Sequence, residues 1–394
     1  MSIKNKFILT LLGIIIIGGV IATGCMGGSG LTCASAPSRG WAGGTVSDGK
    51  LFVASMGGKV IAIDATTGNI LDTPIQLSIP TSGGILGCSS SASPLWIYAS
   101  PVVLNQMVYV GGNDGKIHGY PFDNNTLSSN PSSHSDYLGG AIIGGIVIVN
   151  DRIYFATSVG TIYALNANSL GKEWDYNIGS KIWSAPAVAG NTLYIGSLDK
   201  KLYALNTSDG TKIWEYETEG AISATPVVYD NKVYIGDYDR CFYALDAING
   251  NLIWKYPAAN EANDKPQNWF WAKPVILNDT IYAPCLDGNV YALNASTGNL
   301  INKYVLGDSI SSSPAVIGNS IVVATTDLRK KTGKVFLIDT TDKSQKELDS
   351  FAEGINAPLF VNDDVVYVHT LKDNLYGINI LTKARQTFSL STVK

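Results

Sequence analysis

Along most of the chain apolar residues alternate with polar ones in short runs, the period of a half-buried strand, and Gly-Asn and Asp-Gly turns separate the runs. The stretch from Ala187 is representative. Ala187 to Val188, Thr192 to Gly196, Lys201 to Asn206 and Lys212 to Glu217 read as four successive strands. Helical periodicity does not intervene, so a βαβ arrangement is excluded. The pattern then recurs. A Ser/Ala-rich tripeptide ending in proline heads a short apolar strand at Tyr98-Ala-Ser-Pro101, Trp183-Ser-Ala-Pro186, Ser223-Ala-Thr-Pro226, Trp271-Ala-Lys-Pro274, Ser311-Ser-Ser-Pro314 and Ile355-Asn-Ala-Pro358. Eight residues after these prolines stand Tyr109, Tyr194, Tyr234, Tyr282, Val322 and Val366. Counting the same offset back from Tyr154 and Phe52 puts two further anchors at Ile146 and Gly44. A small residue follows 18 positions after six anchors (Ala62, Gly119, Ala164, Ala204, Ala244, Ala292), with Gly377 one place later and Leu337 five places later.

Eight units of four strands, repeating about every 40 residues, predict an eight-bladed all-β propeller over residues 41–394, because radial repetition protects sheet edges. Composition agrees. Among 394 residues there are 41 Gly and 20 Tyr, suited to turns and pleated surfaces, with 45% hydrophobic and 15% charged residues, unlike a disordered chain. Lys and Arg number 28 against 32 Asp and Glu, so the basic surplus of a nucleic-acid binder is absent.

The N-terminus has a separate logic. Lys4 and Lys6 precede an apolar run from Phe7 to Val20, and Ile21-Ala22-Thr23-Gly24 brings small residues up to Cys25. This reads as a signal peptide over 1–24, with an uncleaved membrane anchor as the alternative. The small-small-Cys ending resembles the bacterial lipobox, which implies lipid attachment at Cys25 and an extracytoplasmic, membrane-anchored protein. Residues 25–40 then form a Gly-rich tether. In an oxidising compartment Cys33, Cys88, Cys241 and Cys285 invite pairing as Cys33 with Cys88 and Cys241 with Cys285; buried free thiols are the other reading.

Several copies also share Ala-x5-Gly-x3-Trp, clearest at Ala204, Gly210, Trp214 and at Ala244, Gly250, Trp254; Trp174 keeps the motif with Gly171 displaced by one. Asp72 and Asn302 replace the indole in two others. This resembles the tryptophan-docking motif of quinoprotein, or PQQ-like, propellers, which implies that Trp174, Trp214 and Trp254 seal seams between blades. Together with the lipobox, the repeat resembles the BamB-type outer-membrane-assembly lipoproteins. That resemblance implies a non-catalytic scaffold, monomeric within an envelope protein complex, with no cofactor. The alternative is a PQQ-dependent oxidoreductase-like or carbohydrate- or small-ligand-binding propeller. Dehydrogenases of that kind use PQQ with calcium, an adjacent Cys-Cys pair and a catalytic Asp; this sequence has no Cys-Cys and no CxxCH. Asp114, Asp199, Asp239, Asp287 and Asp327 recur at one turn position and read as turn formers, not metal ligands. His118, His134 and His369 are scattered and suggest no catalytic set.

Function is therefore expected where the repeat is broken. Loops joining the second and third strands, and those leading from one blade to the next, share one face. The insertions Thr81 to Ser100, Pro257 to Asn268 and Leu328 to Lys331 fall there, and Phe122 to Tyr137 is ambiguous. The residue three before each anchor begins the innermost strand on that face, and Trp41, Tyr98, Trp183 and Trp271 occupy four of the eight places. With Trp96 and Trp269 they form either an aromatic collar for a ligand or a plug beneath the loops. Arg329 and Lys330 offer a basic rim contact for an acidic partner.

Overall fold

The structure, a computed structural model, describes residues 42–79, 93–128, 133–258 and 265–390. The signal peptide, Cys25, the tether, Trp41, Cys33 and Cys88 lie outside the described residues. Eight antiparallel sheets follow one another, each built on four strands consecutive in the chain. The fold is an eight-bladed β-propeller. In blade 4 the strands are Ala187–Ala189, Thr192–Gly196, Lys201–Asn206 and Lys212–Glu217. The first and second strands meet in tight turns such as Asn150-Asp151, Asp230-Asn231 and Asn278-Asp279, with both residues at positive φ. That conformation matches the right-handed twist of a hairpin, and Asn and Asp tolerate it.

First strands of neighbouring blades touch one another around the axis. The seams between blades are apolar and follow a size rule. At or near the end of the second strand seven of the eight blades carry a small residue or proline, and at several seams the next blade lays an isoleucine or phenylalanine of its lead-in segment against it. An added Cβ at Gly111 would stand 2.8 Å from Ile142, one at Gly196 would stand 2.2 Å from Ile222, and one at Gly236 would stand 2.3 Å from Phe270. Close-packed interiors do not absorb such overlaps, so a side chain there would force the blades apart.

Two sequence expectations need correction. In blade 8 Phe360 pairs with Tyr367 as Val102 pairs with Tyr109, so the structural anchor is Leu359, not Pro358. The amide of Leu359 donates to Ser313 O at 3.0 Å across the seam, a bond proline could not make. Tyr367 thus takes the aromatic place assigned to Val366, Gly377 falls into register, and Asn356 replaces Ile355 in the collar. The second correction concerns Cys241 and Cys285, which are free and buried. Their sulfurs face different surroundings. Cys241 Sγ lies 3.7 Å from Glu219 Oε2, whereas Cys285 Sγ lies 3.1 Å from Asn268 O and 3.4 Å from Trp269 O. Burial pushes the Cys241 thiol up to about 11, and the Cys285 thiol well above its ordinary range. Because the thiolate is the nucleophile, iodoacetamide is expected to spare both in the native protein and label both in denaturant. Peptide mapping that recovers them disulfide-linked would contradict this.

The insertions take defined forms. Ser78–Ile79 and Ser93–Pro94 pair as a ribbon beyond blade 1. Phe122 to Tyr137 splits the outer strand of blade 2 into Thr126–Leu127 and Ser133–His134, both paired with Ile117–Asp123. Leu328 to Lys331 is the tip of a lengthened hairpin, Ser320–Asp327 with Thr332–Asp339.

Among the described residues ring closure uses no exchanged strand: blade 1 begins at Gly44–Ser47 and blade 8 ends at Arg385–Ser389, each with four strands of its own. Apolar closure comes from Leu51, Val53, Ile61 and Ile63 against Tyr367, Leu375 and Phe388. A polar clasp completes it. His369, fully buried, stands where the other blades have Ala54, Gly111, Ala156, Gly196, Gly236, Pro284 and Ala324. Its Nδ1 contacts Ala42 O at 2.8 Å and its Nε2 contacts Asp373 Oδ1 at 2.9 Å. The same carboxylate accepts the amide of Met56 at 2.9 Å.

Candidate functional site

The three docking tryptophans each bridge to the following blade. Trp174 Nε1 donates to Thr207 O (2.9 Å), Trp214 to Ala247 O (3.1 Å) and Trp254 to Ala295 O (3.0 Å). The strand tyrosines Tyr154, Tyr194 and Tyr234 donate to those same three carbonyls. Each indole lies on a glycine of the next blade, Gly210, Gly250 or Gly298, at φ of 73°, 74° and 75°. The motif therefore works between blades, the glycine of one receiving the tryptophan of its predecessor. Where the indole is absent the seam changes character. In blade 1, Asp72 accepts the amide of Leu127 (3.1 Å), Phe52 meets Phe122 edge-to-face at 4.9 Å, and a cleft of about 530 Å³ opens beside them. At the closing seam Gln386 holds the position and donates to Thr67 O at 3.4 Å.

On the loop-bearing face these second-to-third turns are tied to the lead-in segment of their own blade: Leu198 N to Lys181 O, Tyr238 N to Ala221 O and Leu286 N to Trp269 O, at 2.9–3.0 Å. The recurrent aspartates serve these turns. Asp114, Asp199 and Asp287 each accept the amide two residues on, at 3.2, 3.0 and 3.0 Å, and Asp327 accepts those of Arg329 and Lys330. Asp239 instead pairs with Lys265 at 2.8 Å. Glu219, Asp239 and Cys241 converge to within 4.8 Å, but Lys255 and Lys265 already neutralise the carboxylates.

The aromatic residues divide into two groups. Trp183 and Trp271, half-buried in blades 4 and 6, meet at 6.2 Å with their planes at 59°. They reach each other because blade 5 carries Ser223 between them. Tyr238, also from blade 5, stacks on Trp269 at 4.5 Å and on Trp271 at 6.0 Å, with planes nearly parallel. Trp183, Trp271, Tyr238 and Trp269 thus form one continuous ladder over blades 4 to 6. Tyr98 is buried, and the Trp96 amide donates to Asn113 Oδ1 while the Asn113 amide donates to Trp96 O. Arg329 and Lys330 are exposed on the hairpin tip of blade 7, Lys330 at 3.3 Å from Asp327.

Sequence reasoning passed over Tyr238, Ser223, Asp237 and Lys273. Asp237, with no solvent exposure, accepts the amides of Gly220 and Cys241 and the hydroxyl of Tyr243, each at 2.9 Å, tying both strands of the turn under the ladder. Burial raises its carboxyl above the ordinary 3.8, and the three donated bonds oppose that only in part. An acid whose folded value exceeds its unfolded one contributes stability that is complete below the unfolded value and is lost as pH rises through the folded value. Asp237→Asn is thus expected to flatten the decline in stability above about pH 4, while lowering stability overall by about 1–3 kcal/mol. Urea titrations across pH check this; an unchanged slope would contradict it.

The residue just before each anchor faces the axis: Gly43, Ser100, Gly145, Ala185, Thr225, Lys273, Ser313 and Pro358. Neighbours in this ring touch, as Ala185 N does Thr225 Oγ1 (3.3 Å) and Lys273 N does Ser313 Oγ (3.2 Å). Seven are small or proline and none is acidic. This ring therefore offers no carboxylate with which to hold a calcium ion.

The sequence matches the family described as outer membrane protein assembly factor BamB over residues 27–181 and 158–386. The chain belongs to this family of PQQ-like propellers. Among solved structures, BamB from Moraxella catarrhalis is similar at TM-score 0.58 and 16% identity, over 74% of this chain and 85% of that one. The computationally designed Ika8 protein matches at TM-score 0.64 and 15% identity, over 89% and 96%. A europium-containing methanol dehydrogenase matches at TM-score 0.60 and 12% identity, over 74% and 77%. At these identities the likeness to scaffold, design and enzyme alike establishes the fold. No curated protein sequence matches the chain.

Proposed function

We propose that the protein is a lipid-anchored, extracytoplasmic scaffold of the cell envelope that holds a protein partner on the loop-bearing face of its propeller. The observation that carries this reading is the Trp183, Trp271, Tyr238 and Trp269 ladder, half-buried on a rigid ring at the face where the insertions gather. Clustered aromatics on a fixed scaffold are the composition of binding hot spots. Family membership supports the same reading, since the family is named for an assembly factor. The PQQ-dependent alternative draws on the dehydrogenase fold likeness and has against it an axial ring without a carboxylate for calcium.

In-cell photocrosslinking tests the proposal. A photoreactive residue at Gln267 or Arg329 is expected to give adducts with an envelope protein, and one at Asn191 or Asn231, in the short turns opposite, is not. Adducts from the short-turn side alone would overturn it. Cys25→Ser should release the protein from the membrane fraction. PQQ and calcium binding with dye-linked alcohol oxidation would establish the alternative.

A further inference from the structure

Lys273 is the one charged residue in the ring of eight that faces the axis. It lies two residues after Trp271, and along Trp271-Ala272-Lys273-Pro274 burial alternates, Ala272 and Pro274 being buried while Trp271 and Lys273 are not. Trp271 and Lys273 are thus the two residues of this segment left open to solvent, and the Lys273 amide bonded to Ser313 sets that residue in the ring. The ammonium is solvent-accessible, yet the surrounding wall crowds it enough that desolvation lowers its pKa. No hydrogen bond or ion pair with any described residue engages Nζ; only the Lys273 amide is bonded, to Ser313. Two lysines of this face are matched, Lys255 with Glu219 and Lys265 with Asp239, while Lys273 differs from the other unpaired ones in standing in the axial ring. An unmatched cation in a narrow, neutral ring focuses attraction for an anion.

A second feature adjoins it. Ser223, between the two tryptophans, and Tyr238, stacked on Trp271, turn their buried hydroxyls toward each other, which leaves the apolar ring faces as the surface beside the axial ring. The shape restricts what can lie there. Trp183 and Trp271 touch each other at 59°, so no parallel slot exists between them and a flat ring cannot be sandwiched there. They form a one-sided platform, suited to an apolar side chain laid across it.

The geometry points to a site at the channel mouth that receives an exposed loop of a partner protein, its Asp or Glu carboxylate paired with Lys273 and a neighbouring apolar side chain resting on Trp183 and Trp271. This inference rests on the scaffold reading and specifies the chemistry of the partner. A random heptapeptide phage library selected against the whole propeller is the probe. Enrichment of sequences joining an acidic residue to an aromatic or proline is expected. For a synthesised hit, Lys273→Met and the acid-to-amide change in the peptide should each weaken binding about tenfold or more, with little further loss when combined, and high salt should weaken only the acid form. Lys273→Arg should retain most of the affinity, and matched melting curves separate these effects from misfolding. No enrichment, hits without acidic residues, or equal affinity of parent and Lys273→Met would overturn the site. Competition by benzoate or indole-3-acetate as strong as by the peptide would also overturn it, assigning the site to a small carboxylate. Crosslinking of the same envelope partner by parent and Lys273→Met in equal yield would leave the scaffold standing and remove only this site.

Discussion

Replacing His369 by alanine is expected to lower the unfolding free energy by about 3–5 kcal/mol, the range for truncating a large buried side chain, here one that also holds buried hydrogen-bond partners. The imidazole fills a position that is small or proline in the other seven blades, so its loss also leaves a void. It further strands Ala42 O and removes one partner of the Asp373 carboxylate, which then serves the Met56 amide alone. Urea denaturation measures the total, and hydrogen exchange locates it: amides of blades 1 and 8 should exchange faster while those of blade 4 change least. Loss spread evenly over all eight blades would contradict closure through this clasp. Asp373→Asn should weaken the same seam less, since an amide can still accept from Met56.

The second large effect is expected at Trp214. Its side chain is 8% exposed, donates to Ala247 O, lies on Gly250 and meets Tyr194 at 5.7 Å. Trp214→Ala should cost about 3–5 kcal/mol, as large aromatic truncations in cores do. Gly250→Ala attacks the same contact from the other blade. Its Cβ would stand 2.7 Å from the indole at a φ of 74°, so overlap and backbone strain combine. Because the two residues touch, the double variant should lose less than the sum of the single losses. Denaturation of the three variants checks this, and strict additivity would mean that the indole and the glycine do not share one seam.

Blade number and strand order were readable because the repeat imposes one register on every copy, visible in Tyr109, Tyr194, Tyr234 and Tyr282. Blade 8 slipped by one because proline marks the lead-in only where the following amide is free, and at Leu359 that amide is bonded. Trp183 and Trp271 were recognisable as residues of one face, but their contact was not. It depends on Ser223 being small in the blade between them. Lys273 was printed in the fourth of the proline tripeptides, and only aligning all eight positions just before the anchor reveals its isolation among small residues. Cys241 and Cys285 took the other reading, free buried thiols, because neighbouring blades place them in different surroundings, Cys241 near Glu219 and Cys285 against the carbonyls of Asn268 and Trp269.

Because each blade is made of consecutive strands and none is exchanged among the described residues, the eight blades are a linear array bent until the last packs on the first. Cutting and rejoining should then be interchangeable operations. A circular permutant that links residue 390 to residue 42 and opens at Gly190-Asn191 would make the clasped seam covalent and leave the loop-bearing face untouched.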